Sequence, residues 1–79
     1  MEEKELVEYL AKRLVDKPDA VSVNVVEDDK GTVLELTVAP DDVGKVIGKR
    51  GRIAHALRTL LSASGIKTGR RVALDIIDN

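Results

Sequence analysis

The chain has 79 residues, of which 34% are charged, with a formal net charge of -1, one tyrosine as its only aromatic and no cysteine. This length gives one domain, and the lack of cysteine excludes a disulfide framework and thiolate metal sites. No apolar run approaches the ~18 residues of a membrane span, and the acidic, polar start MEEKELVEYL is wrong for a signal peptide, so a cytoplasmic protein held together by its 25 Val, Leu and Ile residues is expected.

In chain order, the first helix is expected from Glu2 to Asp16. Leu6, Leu10 and Leu14 recur at i, i+4 and i+8, with Val7 and Ala11 beside them, which makes one apolar stripe. DKPD at 16–19 ends it, because the residue before a proline is pushed out of the helical region. Two alternating runs come next, Val21, Val23 and Val25 and then Leu34, Leu36 and Val38. EDDKG at 27–31 lies between them and reads as a hairpin loop. Pro40 stops the second strand and Asp41 is the expected N-cap of a short helix. That helix, over Asp42 to Ile47, leads to a glycine-rich stretch. A second helix runs from Ile53 to Ser64 with Ile53, Leu57, Leu60 and Leu61 as its apolar stripe, and Gly65 ends it. Val72, Leu74 and Ile76 alternate in the last strand. The order is α-β-β-α-α-β, an α+β fold with a three-stranded sheet and helices packed on one face.

The stretch GKVIGKRGR at 44–52 interrupts a helical pattern with three glycines, each costing about 1 kcal/mol in a helix relative to alanine. It also lies in the basic half of the chain. Residues 1–42 hold 12 acids and 5 bases, residues 43–79 hold 8 bases and 2 acids, and no acid occurs from Val43 to Leu74. Such an imbalance points to a polyanionic partner. The stretch is not a P-loop: only three residues separate Gly44 from Gly48, and Arg50 follows Lys49 where Ser or Thr is needed. The dinucleotide fingerprint fails on spacing and on its strand-helix-strand context. The remaining pattern is G-x-x-G between two helices. Gly48 and Gly51 permit a tight turn with positive φ and let phosphates approach the backbone. The helix that starts after Gly51 offers free N–H groups and a positive dipole end, and Lys49 and Arg50 add charge. Lys45, Arg52 and Arg58 extend the basic zone. Gly44, outside the clamp, is expected to allow close helix-to-sheet packing.

VGKVIGKRGRIAHAL resembles the KH signature, and with ALRTLL and the terminal VALDIID the whole chain is similar to the bacterial KhpA (YlqC) family of small stand-alone type II KH proteins. The resemblance implies one KH domain over 1–79 with its GxxG loop at 48–51. It implies a backbone clamp for single-stranded RNA made by Gly48, Lys49, Arg50 and Gly51, with Val46 and Ile47 helping to form an apolar platform. It also implies self-association and pairing with a larger multidomain KH protein, KhpB (Jag). The sequence departs from many KH modules at Ala54, where a large aliphatic is common.

A short helix cannot point Val46 and Ile47 the same way, so one is expected in the core and the other in the groove. His55, spaced with Arg52 and Arg58, falls on the polar face of its helix as a groove or surface residue. With no Cys and no second His, no metal site is expected, and no cofactor either. Asp75 and Asp78 have no nucleophile or base near them in sequence, so no enzyme is expected. Tyr9 reads as a packing residue, and Lys67, Arg70 and Arg71 as solubilising charges. Base contacts are therefore expected to be aliphatic and hydrogen-bonded rather than stacked, and discrimination among bases shallow. The expected activity is non-catalytic RNA binding, as a post-transcriptional regulator or RNA chaperone and with dimerisation adding avidity; the rival is a protein assembly module in which RNA is secondary.

Overall fold

The structure, a computed structural model, describes residues 3–77, less the side chains of residues 66–68. Helix α1 spans Glu3–Leu14, with Glu3 and Glu5 in its first turn and Lys12 and Arg13 in its last, which complements the helix dipole at both ends. Strands β1 (Ser22–Asp28) and β2 (Gly31–Thr37) form an antiparallel hairpin. Helix α2 (Val43–Ile47) and helix α3 (Arg52–Thr68) come next, and β3 (Val72–Ile76) closes the chain. The strands lie in the order β1-β2-β3, with β3 parallel to β2. Two parallel strands in succession require a crossover, and α2 and α3 supply it. The expected α-β-β-α-α-β order and α+β class hold.

The hairpin is tighter than its sequence suggests. Asp28 pairs with Gly31, so only Asp29 and Lys30 form the loop. The Asp28 Oδ1 accepts the backbone N–H groups of Lys30 at 2.7 Å and Gly31 at 3.1 Å, the self-bonded turn that makes aspartate favourable there.

The core lies between one face of the sheet and the helices. Leu34, Leu36 and Val38 of the second alternating run are all buried, whereas in the first run only Val23 is. β1 is an edge strand with no neighbouring strand on its outer side among the described residues, and Val25 stays exposed. On α1 the buried pair is Val7 and Ala11, and the leucines flank them. On α3, Ala54, Leu57 and Leu61 face the core, while Leu60 is 50% exposed; Leu60 lies one position from Leu61, about 100° around the helix. Each fully buried leucine contributes about 1.5–3 kcal/mol.

Three expectations about loops are corrected. Gly65 does not end α3. It lies within the helix, buried, where an added Cβ would stand 2.2 Å from the carbonyl oxygen of Arg70. The glycine is there because the chain folds back over it: the Arg70 N–H donates to the Gly65 carbonyl at 2.8 Å. Gly44 is not a packing glycine, since an added Cβ there would meet nothing within 4 Å. Asp41 is exposed and caps nothing; a 3-10 turn over Pro40–Asp42 carries the chain into α2.

The residue that organises this corner is Asp42. The residue is 1% exposed, yet its side chain makes no capping bond to α2. It reaches back to the end of α1 instead. Its Oδ1 accepts the Asp16 N–H at 3.3 Å and its Oδ2 accepts the Lys17 N–H at 3.0 Å. Lys45 donates to Asp42 at 3.3 Å and to Asp16 at 2.8 Å. Burial opposes the charge on Asp42, but the two backbone donors and the Lys45 ammonium outweigh it and hold its carboxyl below the ordinary aspartate value. The hydrogen bonds to Asp16 and Asp42 raise the Lys45 ammonium in turn. The helix carrying the glycine stretch is thereby fastened to the first helix. At the far end of the domain Arg70 forms a second strap, pairing with Glu3 at 3.0 Å and Glu27 at 3.7 Å rather than serving as a free surface charge.

Candidate nucleic-acid interface

Helix α2 ends at Ile47 because Gly48 takes φ 79 and ψ 172, a conformation open in practice only to glycine. Lys49, Arg50 and Gly51 then make one 3-10 turn, with Arg50 at φ 57 and ψ 26 and Gly51 at φ 71. Three residues in four thus have positive φ, which reverses the chain between α2 and α3. Gly48 also sits against Ile53, so a side chain there is excluded by contact as well as by conformation. Lys49 and Arg50 are both exposed at the tip. The Gly51 N–H returns to the Gly48 carbonyl at 3.1 Å and the Arg52 N–H to that of Lys49, so the turn itself uses two of the N–H groups at the head of α3.

The expected site residues divide into three groups. Gly48, Lys49, Arg50 and Gly51 form the turn, with Ile47 half-buried before it and Arg52 and His55 exposed on the first turns of α3. Val46 is removed from the site: it is 0% exposed and belongs to the core, which leaves Ile47 as the member of the pair that can line a groove. Lys45 is already neutralised by Asp16 and Asp42. Arg58 is exposed but turns toward the sheet, where its Nε donates to the Leu74 carbonyl at 3.4 Å. Ala54, the departure noted in the sequence, is 3% exposed and faces the core, so its small size affects packing under the helix. Sequence reasoning missed Asp42; DD after a proline carries no pattern that says which aspartate is buried.

Residues 4–76 match the KhpA/KhpB KH-domain family. The chain belongs to that family. It is 60% identical over 74 residues to an RNA-binding protein KhpA of Borreliella burgdorferi, covering 94% of this chain and 90% of the relative. It is 55% identical over 74 residues to the KhpA of Clostridium perfringens, covering 94% and 99%. Its fold is also that of part of Aquifex aeolicus Era bound to GDP.AlF4-, with a TM-score of 0.61 and 20% identity over 98% of this chain. Era in complex with MgGDPNP and nucleotides 1506–1542 of 16S ribosomal RNA superposes with the same TM-score of 0.61 and identity of 20%. This chain spans 31% of those Era chains, and the likeness concerns fold alone. With its α-β-β-α-α-β order the chain is a type II KH domain, and KH domains are non-catalytic RNA-binding modules.

Other residues considered in the sequence fall away from this interface. Tyr9 is 54% exposed and not a packing residue; the Arg13 guanidinium lies 5.8 Å from its ring centroid, a cation–π contact at the surface. Asp78 lies outside the described residues, as does the side chain of Lys67. Among the described residues no group of three or more His, Cys, Asp or Glu side chains is placed to hold a metal, and no helix is long and apolar enough to cross a membrane.

Proposed function

We propose that this protein binds single-stranded RNA, with the Gly48-Lys49-Arg50-Gly51 turn clamping the phosphate backbone, and acts in the cell as a post-transcriptional regulator or RNA chaperone. The observation that carries the reading is the turn itself: two exposed cations between two positive-φ glycines, at the head of a 17-residue helix. With the Gly51 and Arg52 N–H groups bonded within the turn, the N–H groups of Lys49 and Arg50 are the donors offered to a phosphate, beside the dipole of α3. Arg52 and His55 extend the contact along the helix, and Ile47 supplies an aliphatic surface. Relatives that carry the name RNA-binding protein support the assignment.

Four nucleotides is the reach of one such clamp, so a single copy binds weakly. Neutralising about three phosphates of a single strand gives a log-log salt slope of about -2. Titration of a short single strand and of its duplex at several salt concentrations tests this. Equal or tighter binding of the duplex, or a slope near zero, overturns the clamp.

A second reading, assembly with another KH protein, is favoured by one specific feature. Leu10 and Leu14 of α1 and Ile53, Ala56 and Leu60 of α3 line an apolar groove on the flank of α3, rimmed by Arg13 and Arg52. We infer that a second copy docks there, or a larger multidomain KH protein of the KhpB kind. The two readings combine if dimerisation gathers two weak clamps on one strand.

A further inference from the structure

The backbone of β3 has a direction that bears on which bases this domain accepts. The Thr32 N–H donates to the Arg71 carbonyl and the Ile77 N–H to the Leu36 carbonyl, both at 2.8 Å. Residues 71 and 77 therefore turn their backbone groups toward β2. In a parallel ladder the direction alternates with each residue, so the backbone groups of Val72, Leu74 and Ile76 point the other way, to the outer edge of the sheet. β3 is the last strand in the sheet, so no further strand pairs with this edge among the described residues. An N–H beside a C=O on such an edge is a donor–acceptor pair, and by itself it matches the Watson–Crick edge of adenine, with its N1 acceptor and N6 amino group.

In this protein that acceptor already has a donor from a side chain. Arg58 donates its Nε–H to the Leu74 carbonyl at 3.4 Å. Arg58 lies seven residues beyond Gly51, about 10 Å along α3 from the clamp and within the span of a four-nucleotide strand. The bond does two things. It places a cation over the Leu74 carbonyl, engaging one of its lone pairs, and it draws the guanidinium to this edge with Nη1 and Nη2 left as a fork of donors. Arginine loses less freedom per bond than lysine when its fork is oriented in advance.

We propose that Arg58, oriented by the Leu74 carbonyl, is a base-reading residue that selects a nucleobase presenting two adjacent acceptors. This rests on the single-strand clamp described above. Cytosine offers O2 and N3, and guanine offers O6 and N7, the pattern that arginine reads in a bidentate manner. Adenine sets a donor beside its acceptor, and in uracil a donor separates the two acceptors. The domain therefore prefers C or G at one position, while the neighbouring positions, held by Lys49, Arg50, Arg52 and His55 through their phosphates and by Ile47 through aliphatic contact, stay tolerant.

The test is an anisotropy titration of the full chain with eight-nucleotide adenosine strands in which one base is replaced in turn by C, G or U. The strand carrying C or G binds about tenfold tighter than the all-adenosine or the uridine-containing strand, the size of one bidentate contact. Arg58→Lys keeps the charge but loses the preference, so the strand carrying C or G falls to the affinity of the all-adenosine strand, and Arg58→Gln, checked for a native circular dichroism spectrum, loses the preference as well. Equal binding of all four strands by the wild-type protein, or a preference that persists in Arg58→Lys, overturns the inference and leaves the clamp intact. Failure to bind any strand overturns the clamp reading and this inference with it.

Discussion

Gly48 and Ile53 are in such close contact that a methyl group on Gly48 would lie 2.6 Å from Ile53 Cγ1. Gly51, three residues on, would place the same methyl in open space. The two glycines of the turn therefore have different physical duties. Both need positive φ, but only Gly48 is also pressed against the first residues of α3, so it sets the distance between the two helices as well as the reversal.

The expected consequence is an unequal cost of alanine. Gly51→Ala bears the cost of left-handed backbone alone, about 1 kcal/mol. Gly48→Ala adds the overlap with Ile53 and a backbone region nearly closed to other residues, for a total of about 2–4 kcal/mol. Urea melts of the two variants check this; equal losses would show that Ile53 yields freely.

Lys49 and Arg50 contribute charge and not shape. Arg50 already has φ 57 and ψ 26, and aspartate tolerates that region at least as well as arginine. The double variant Lys49→Asp, Arg50→Asp is therefore expected to keep a native circular dichroism spectrum and melting temperature while RNA binding is abolished in a gel shift. Unchanged affinity with a native spectrum removes the clamp.

The fold and the turn were legible because each has a local signature. Alternation over Leu34 to Val38 marks a strand buried on one face, and two glycines around two cations mark a turn with charge at its tip. What escaped were relations between residues far apart in sequence. Leu14 and Leu60 fit helical stripes, yet both are exposed, because the stripe predicts a face and not its edges. Gly65 looked like a helix stop, but its reason lies in the Arg70 carbonyl that passes over it. Val46 and Ile47 were indistinguishable until the course of α2 was fixed. Asp42 was invisible as a latch because its donors belong to Asp16 and Lys17, 26 and 25 residues away.

The Asp42 latch gives a pH dependence with a definite sign. Its carboxyl is held below the ordinary value in the folded protein, so the folded state binds a proton less readily than the unfolded chain. The stabilisation is fully present above the unfolded aspartate value of about 3.9 and is lost as pH falls through the folded value. Asp42→Asn is expected to melt below the wild-type protein from about pH 5 to 8 by a constant margin, and the margin narrows below about pH 4. Melting curves across that range check it; a margin unchanged down to about pH 2 would show that charge on Asp42 contributes nothing.

The self-association proposed for this chain has two candidate sources, and salt separates them. The acidic residues 1–42 of one copy and the basic residues 43–79 of another attract by charge, a force that weakens with added salt. Docking at the groove between α1 and α3, the second reading proposed above, would instead bury Leu14 and Leu60, 37% and 50% exposed in the single chain. The rim of that groove carries Arg13 and Arg52, so two copies related by a two-fold axis bring like charges together, and added salt strengthens the contact by screening them. Leu60→Glu is expected to leave stability within about 0.5 kcal/mol, as for other exposed positions, and to give a monomer at high micromolar concentration. Sedimentation of the wild-type and variant chains at low and high salt reads both effects. A dimer that survives Leu60→Glu and dissolves in salt assigns self-association to the charged halves and leaves the groove without a role in it.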